Sequence, residues 1–201
     1  EQPRSLLSYA RHADPIVMFI WAASTTLQFG FMGPLRYLAA AYFAGCLLLY
    51  ARQTMPAVAR CWPLFLLPIL CTMSAMWAPS SAEALRKGFS LALTGAVAIY
   101  AATRIPGRKI LVAYFLVGLI AALLSLVINT PDQGAWTGIF GQKNFFAVNM
   151  FILYVTALGV TFDKENGRWL RRLAFAAIPL AMFLVLMAKS GTTTLLVIGA
   201  T

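Results

Sequence analysis

The chain has 201 residues, of which 61% are hydrophobic and only 11% charged, with a mean hydropathy of +0.78. Soluble domains use roughly 45–50% apolar residues, so this composition excludes an ordinary water-soluble globule. The net charge of +10 does not point to nucleic acid: the basic residues stand singly or in small groups at the ends of apolar runs, and no basic face interleaved with aromatics exists.

Taken in chain order, hydropathy predicts seven apolar helical segments and the start of an eighth. They cover about 15–31, 35–51, 62–78, 89–103, 110–128, 144–162 and 173–188, and the last begins near Thr193. Several of them approach the ~20 residues that cross a bilayer. The expected fold is all-α: a polytopic membrane protein, a bundle of seven to eight spans, with residues 1–201 belonging to one integral membrane domain. The first segment is followed at once by others and has no small-residue cleavage site, so it reads as a span and not a signal peptide. Cys46, Cys61 and Cys71 lie in or beside apolar segments without metal-ligand spacing, and the one histidine is His12, so no metal and no cofactor is expected.

The basic residues orient the bundle. Alternating the segments puts eleven of the sixteen Lys and Arg on one side, among them Arg52, Arg60, Arg104, Arg108, Lys109, Lys164 and Arg168. The positive-inside rule makes that side, and the N-terminus, cytoplasmic. Arg36, Arg86, Lys87, Lys143 and Lys189 then face outward, and against the topological preference they invite a reason.

Three outward stretches carry polar chemistry. Ser80 and Glu83 have capping-box spacing, which starts a helix that presents Arg86 and Lys87 a turn later, with Glu83 and Lys87 as an i,i+4 pair. Residues 129–134 stop the fifth segment with Pro131 and Gly134. After them Trp136 reads as an interfacial anchor in a short amphipathic stretch. Gly138-Ile139-Phe140-Gly141-Gln142-Lys143-Asn144 then forms a glycine-shaped turn at the mouth of a helix, where Gly141 permits close backbone approach and Asn144 is placed to cap. Asn149 reads as an interhelical hydrogen-bonding residue. Lys189 precedes Ser190-Gly191-Thr192-Thr193-Thr194 at the next outward junction. Cationic side chains around a helix N-terminus suit phosphate.

The turn ending in Lys143 and Asn144 resembles the G-x-F-x-x-K-N signature of the O-antigen ligase and polymerase superfamily. Trp77-Ala78-Pro79 followed by Glu83 to Arg86 is similar to that family's outer loop before its fourth helix. Lys189-Ser190-Gly191-Thr192 is similar to its S-x-T step. Gly191 and Thr192 stand where ligases often carry an Arg after the Ser, which leans toward the polysaccharide-polymerising branch. The family-like core covers about 110–201. The resemblance implies a bacterial inner-membrane protein of about twelve spans, of which this chain is the N-terminal part. It implies a metal-independent inverting glycosyltransferase that takes an undecaprenyl-diphosphate-linked glycan donor to a glycan or lipid acceptor, with catalytic residues beyond residue 201. Lys143, Asn144, Gly141, Arg86, Lys189 and Ser190 are then the expected diphosphate-binding residues.

Glu83 and Asp132 are the only outward carboxylates, and neither is assigned as general base. A lipid-linked sugar transporter or flippase, or an accessory membrane subunit, is the alternative. Proton coupling is disfavoured because no Asp, Glu or Lys falls in the central part of any apolar segment.

Overall fold

The computed structural model of the protein describes residues 4–27, 29, 32–128, 131–132 and 134–200. It is all-α apart from one miniature hairpin, and it divides into two compact units. The first comprises Glu1–Val17 and Tyr37–Pro106, the second Met18–Arg36 and Gly107–Thr201.

Helix α1 (Arg4–Thr26) begins well before the apolar run and continues through Pro15. Hydropathy marks where side chains become apolar, whereas a helix ends where backbone bonds stop closing, and the two boundaries differ here. Asp14 therefore lies inside a helix, not on a flank. The expectation that no carboxylate falls in the central part of an apolar segment did not cover this position, one residue before the segment at 15–31.

Helix α2 (Met32–Leu49), which enters the first unit at Tyr37, is followed after Tyr50 by α3 (Ala51–Arg60), a helix where hydropathy left a polar connection. Next come a 3-10 turn (Trp62–Phe65), α4 (Leu66–Met73) and a second 3-10 turn (Ser74–Met76). This 62–76 stretch makes an angle of 83° with α3. Helix α5 (Ser81–Arg104) returns along α4, and the two backbones touch where Gly88 meets Thr72. A Cβ on Gly88 would stand 2.9 Å from the Thr72 backbone nitrogen, so only glycine allows this approach. Ser80 occupies the N-cap position of α5, but its side chain makes no capping bond. Glu83 pairs with Lys87 at 2.8 Å, as the i,i+4 spacing predicts.

The second unit is built on α6 (Gly107–Val127), α7 (Lys143–Phe162), α8 (Arg168–Met187) and α9 (Gly191–Ala200). Between α6 and α7 stand strands β1 (Pro131–Asp132) and β2 (Ala135–Trp136), paired antiparallel, and a 3-10 turn (Gly138–Phe140). The hairpin replaces the expected amphipathic stretch around Trp136. Residues 129, 130 and 133, included in the predicted helix stop, lie outside the described residues. Helices α7 and α8 are joined by a five-residue turn at 163–167 and pack along their length as an antiparallel pair. Their seam is made of small residues: Ala174, Ala177 and Ala181 of α8 are buried against α7, which adds Ala147 and Ala157. Small side chains let helix backbones approach where apolar surface alone gives no preference for a protein partner over lipid. Phe115, Phe146, Met150, Leu153 and Tyr154 fill the rest of the core.

Four helices among the described residues are long and apolar enough to cross a membrane: α2, α6, α7 and α8. The stretch from α3 through Met76 adds a fifth if it counts as one bent span. Helices α1 and α5 match these in length but carry charged residues, Arg4, Arg11 and Asp14 in one and Glu83, Arg86, Lys87 and Arg104 in the other. The architecture is that of a helical membrane protein.

Candidate functional site

One end of the second unit gathers most of the polar residues singled out above. The end of α6, the β1–β2 hairpin, the start of α7, the end of α8 and the start of α9 all meet there. Antiparallel pairing of α7 with α8 requires this, and the contacts of the hairpin confirm it. Trp136 packs edge-on against Phe183 near the end of α8, with ring centroids 6.1 Å apart. Gly134 lies beside Lys189: a Cβ there would stand 3.5 Å from Lys189 Nζ.

The turn into α7 is held from below. Gly138 has φ +54 and sits directly on Ser125 of α6, so that a Cβ would come within 2.5 Å of Ser125 Cβ. The Ile139 N–H donates to Ser125 Oγ at 3.3 Å. Phe140 is buried against Phe145 and Phe146. Two glycines thus do different things. Gly138 is required by contact as well as by backbone conformation. Gly141, at φ +65, has no atom within 4 Å of its would-be Cβ and leaves open space above the turn.

Helix α7 then starts at Lys143, with Gln142 at the N-cap and no capping side chain. Asn144 is therefore an exposed first-turn residue and not the cap, because the turn closes one residue earlier than its position suggested. The first-turn N–H groups of a helix have no partner within it, so this terminus offers donors beside the Lys143 ammonium. Asn149 is buried but bonds within its own helix, Nδ2 donating to the Phe145 carbonyl at 2.8 Å. It does not cross to a neighbour through that amide as expected.

Lys189 adopts φ +50, the only left-handed non-glycine among the described residues. Its N–H closes the end of α8 on the Leu186 carbonyl, and its side chain is exposed. Ser190 is buried, with its hydroxyl 3.2 Å from that of Thr193 in the first turn of α9. Ser190 therefore shapes the start of α9, while the Lys189 ammonium beside it is exposed.

Lys143, Asn144, Gly141, Lys189 and Ser190 thus share one end of one unit. Arg86 belongs to the first unit, exposed near the start of α5. Glu83, a turn before it, accepts a hydrogen bond from Lys87, and that bond with the ammonium charge holds its carboxyl below the usual carboxylate range. A lowered value makes it a weaker proton acceptor.

At the opposite end of the second unit the acids have partners. Arg108 at the start of α6 grips the 163–167 turn: Nε donates to Asn166 Oδ1 at 2.9 Å, Nη1 to Glu165 Oε2 at 3.1 Å and Nη2 to the Glu165 carbonyl. Asp163 Oδ2 lies 3.7 Å from Nε. Asn166 Nδ2 donates to the Val160 carbonyl, and Arg171 Nε to that of Thr161. Asp163 and Glu165 are thereby held far from Lys143 and Lys189.

No family model, curated protein or solved structure matches the chain. Its chemistry is therefore argued from its own residues.

Sequence reading missed one constellation altogether. Asp14 is buried in the first unit, where Tyr42 of α2 donates to its Oδ1 at 2.7 Å and Tyr100 of α5 stands 3.2 Å from both oxygens. Phe43 closes edge-on over Tyr100, with centroids 5.7 Å apart. The partners lie 28 and 86 residues away in sequence, so no local pattern signals them.

Proposed function

We propose that the protein belongs to bacterial cell-surface polysaccharide assembly. In this reading it transfers or polymerises glycan from an undecaprenyl-diphosphate-linked donor at the outer face of the inner membrane. The N-terminus is cytoplasmic, and the chain contributes seven to eight of about twelve spans. Helices α1 and α5 and the 62–76 stretch are the further spans in this reading, and residues about 110–201 carry the family-like core.

The observation that supports this best is the set of donors gathered at one end of the second unit. Lys143, Lys189 and an uncapped helix start share that end with Asp132 of the hairpin, around a glycine turn with open space above it, while Asp163 and Glu165 are paired with Arg108 at the other. Cleavage of a glycosyl–diphosphate bond leaves charge on the diphosphate, and donors already in place stabilise it without reorganisation. Lys143 and Lys189 hold the diphosphate in this mechanism, and Asn144 with the first-turn amides orients it.

Lys143→Ala should lower glycan transfer by about 10²-fold, the usual effect of removing one such donor. The assay is incorporation of labelled glycan by membranes containing the whole protein, normalised to protein level. Normal incorporation in this variant would refute the reading.

Asp14 favours a second reading, an ion-coupled carrier of lipid-linked sugar. Carboxylates buried at membrane depth commonly mark ion pathways. A carrier requires that Asp14→Asn abolish gradient-dependent movement of a fluorescent lipid-linked sugar across proteoliposomes. Movement that ignores the gradient in the unmodified protein removes this reading.

A further inference from the structure

We infer that α3 lies in the plane of the membrane surface and binds the anionic phospholipid headgroups of that leaflet. The argument is independent of the diphosphate site and rests on four features of the first unit.

The first feature is geometry. Helix α3 stands at 83° to the apolar 62–76 stretch that follows it. If that stretch runs along the membrane normal, α3 lies flat at its foot.

The second is the distribution of side chains. Arg52, Pro56 and Arg60 fall four residues apart on one stripe, and all are exposed. Met55 and Ala59 form the adjoining stripe, with Met55 60% exposed. Thr54 is buried and α3 packs on α5, so the outward face presents a narrow apolar strip edged by arginines. An interfacial helix has this form: apolar side chains dip into the acyl boundary while cations stay at the phosphate level. Trp62, 60% exposed just past the end of α3, fits the same depth.

The third feature is a further cation at the same end. The Arg104 guanidinium stacks 4.1 Å from the centroid of the Tyr50 ring and donates to Gln53 Oε1 at 3.2 Å. It is therefore ordered next to the first turn of α3.

The fourth is the absence of an acid on α3 and its flanking stretches. No Asp or Glu occurs between residues 15 and 82, Glu83 sits at the far end of α5, and Asp14, buried behind the Tyr50 and Tyr100 rings, is bound by Tyr42 and Tyr100. Three arginines with no acid on the exposed face beside them, arranged on a flat amphipathic surface, complement anionic lipid. Each is worth about fivefold in affinity for such a surface, the equivalent of ~1 kcal/mol.

The test reconstitutes the full chain in nanodiscs of phosphatidylcholine mixed with phosphatidylglycerol, extracts it mildly, and counts retained lipid by native mass spectrometry. Phosphatidylglycerol should be enriched, the enrichment should fall about fivefold for each of Arg52→Gln and Arg60→Gln, and salt should weaken it. A separate arm leaves the arginines intact and attaches a fluorophore at Met55→Cys with Cys46, Cys61 and Cys71 replaced by Ser. Lipids brominated near the headgroup should quench it. Circular dichroism checks helicity in every variant, and the fluorophore arm decides if the arginine variants misfold. The inference is overturned by equal retention of the two lipids, by enrichment that survives both substitutions, or by a fluorophore reached by aqueous iodide but not by brominated lipid. Displacement of phosphatidylglycerol by soluble glycerol phosphate overturns it too, since that would indicate a free-phosphate site and not a bilayer surface.

Discussion

Lys189 illustrates how one residue can serve two ends that mutagenesis can separate. Its left-handed backbone costs about 1–2 kcal/mol relative to an ordinary conformation, a cost glycine escapes. Glycine is the usual residue just past a helix end for that reason. A lysine kept there is explained by its charge, which also suits the C-terminus of α8. Relief of that backbone is offset by the lost charge and by glycine's freedom in the unfolded chain, so Lys189→Gly should change stability by less than about 1 kcal/mol in a reversible unfolding titration in mixed micelles, while weakening binding of the lipid diphosphate. A variant both less stable and unchanged in binding would contradict this account. The turn glycines were legible from sequence as glycines needed for shape, but not the difference between them. Only the contact with Ser125 shows that Gly138 is locked in place while Gly141 has open space above it.

Among the elements, the 163–167 turn shows how the second unit is closed at the end away from the candidate site. Arg108 makes three hydrogen bonds there, to Asn166, to the Glu165 carboxylate and to the Glu165 carbonyl, and so ties α6 to the connection between α7 and α8. The side chain is partly exposed, so solvent moderates each bond. Arg108→Ala should destabilise the protein by about 1–2 kcal/mol, and Arg108→Lys should recover only part, because an ammonium cannot reproduce the fork. Equal stability of the lysine variant and the unmodified protein would show that charge alone suffices. This clasp was invisible in the sequence, where Arg108 and Lys164 read simply as orienting charges. The amphipathic α3 was missed for a related reason: hydropathy averaged over a window hides an apolar stripe edged by arginines.

For the whole molecule, the placement of cations makes a topological prediction. The ends of α6 and α8 and the start of α7 should face outward, while the turn at 163–167 should face the cytoplasm. Single cysteines introduced at Gln142 and at Lys164, in a background lacking Cys46, Cys61 and Cys71, should differ in whole cells. An impermeant maleimide should label position 142 readily and position 164 only after lysis. The reverse pattern would move the lysine-bearing end to the inner leaflet and remove the basis for a periplasmic diphosphate site.

Composition and the spacing of apolar runs were enough to determine an all-α membrane protein, where its main helices fall, and that a glycine-shaped turn opens α7. These properties are local, since burying or exposing a stretch of backbone in lipid depends on the residues of that stretch. The tertiary structure alone decided that Lys143 and Lys189 share an end, that Arg86 belongs to another unit, and that Asp14 is buried against Tyr42 and Tyr100. It also revealed the β1–β2 hairpin and the 83° bend between α3 and the 62–76 stretch. The first three depend on how distant segments pack, and the free energy of such contacts belongs to pairs of residues and not to any single stretch of the chain.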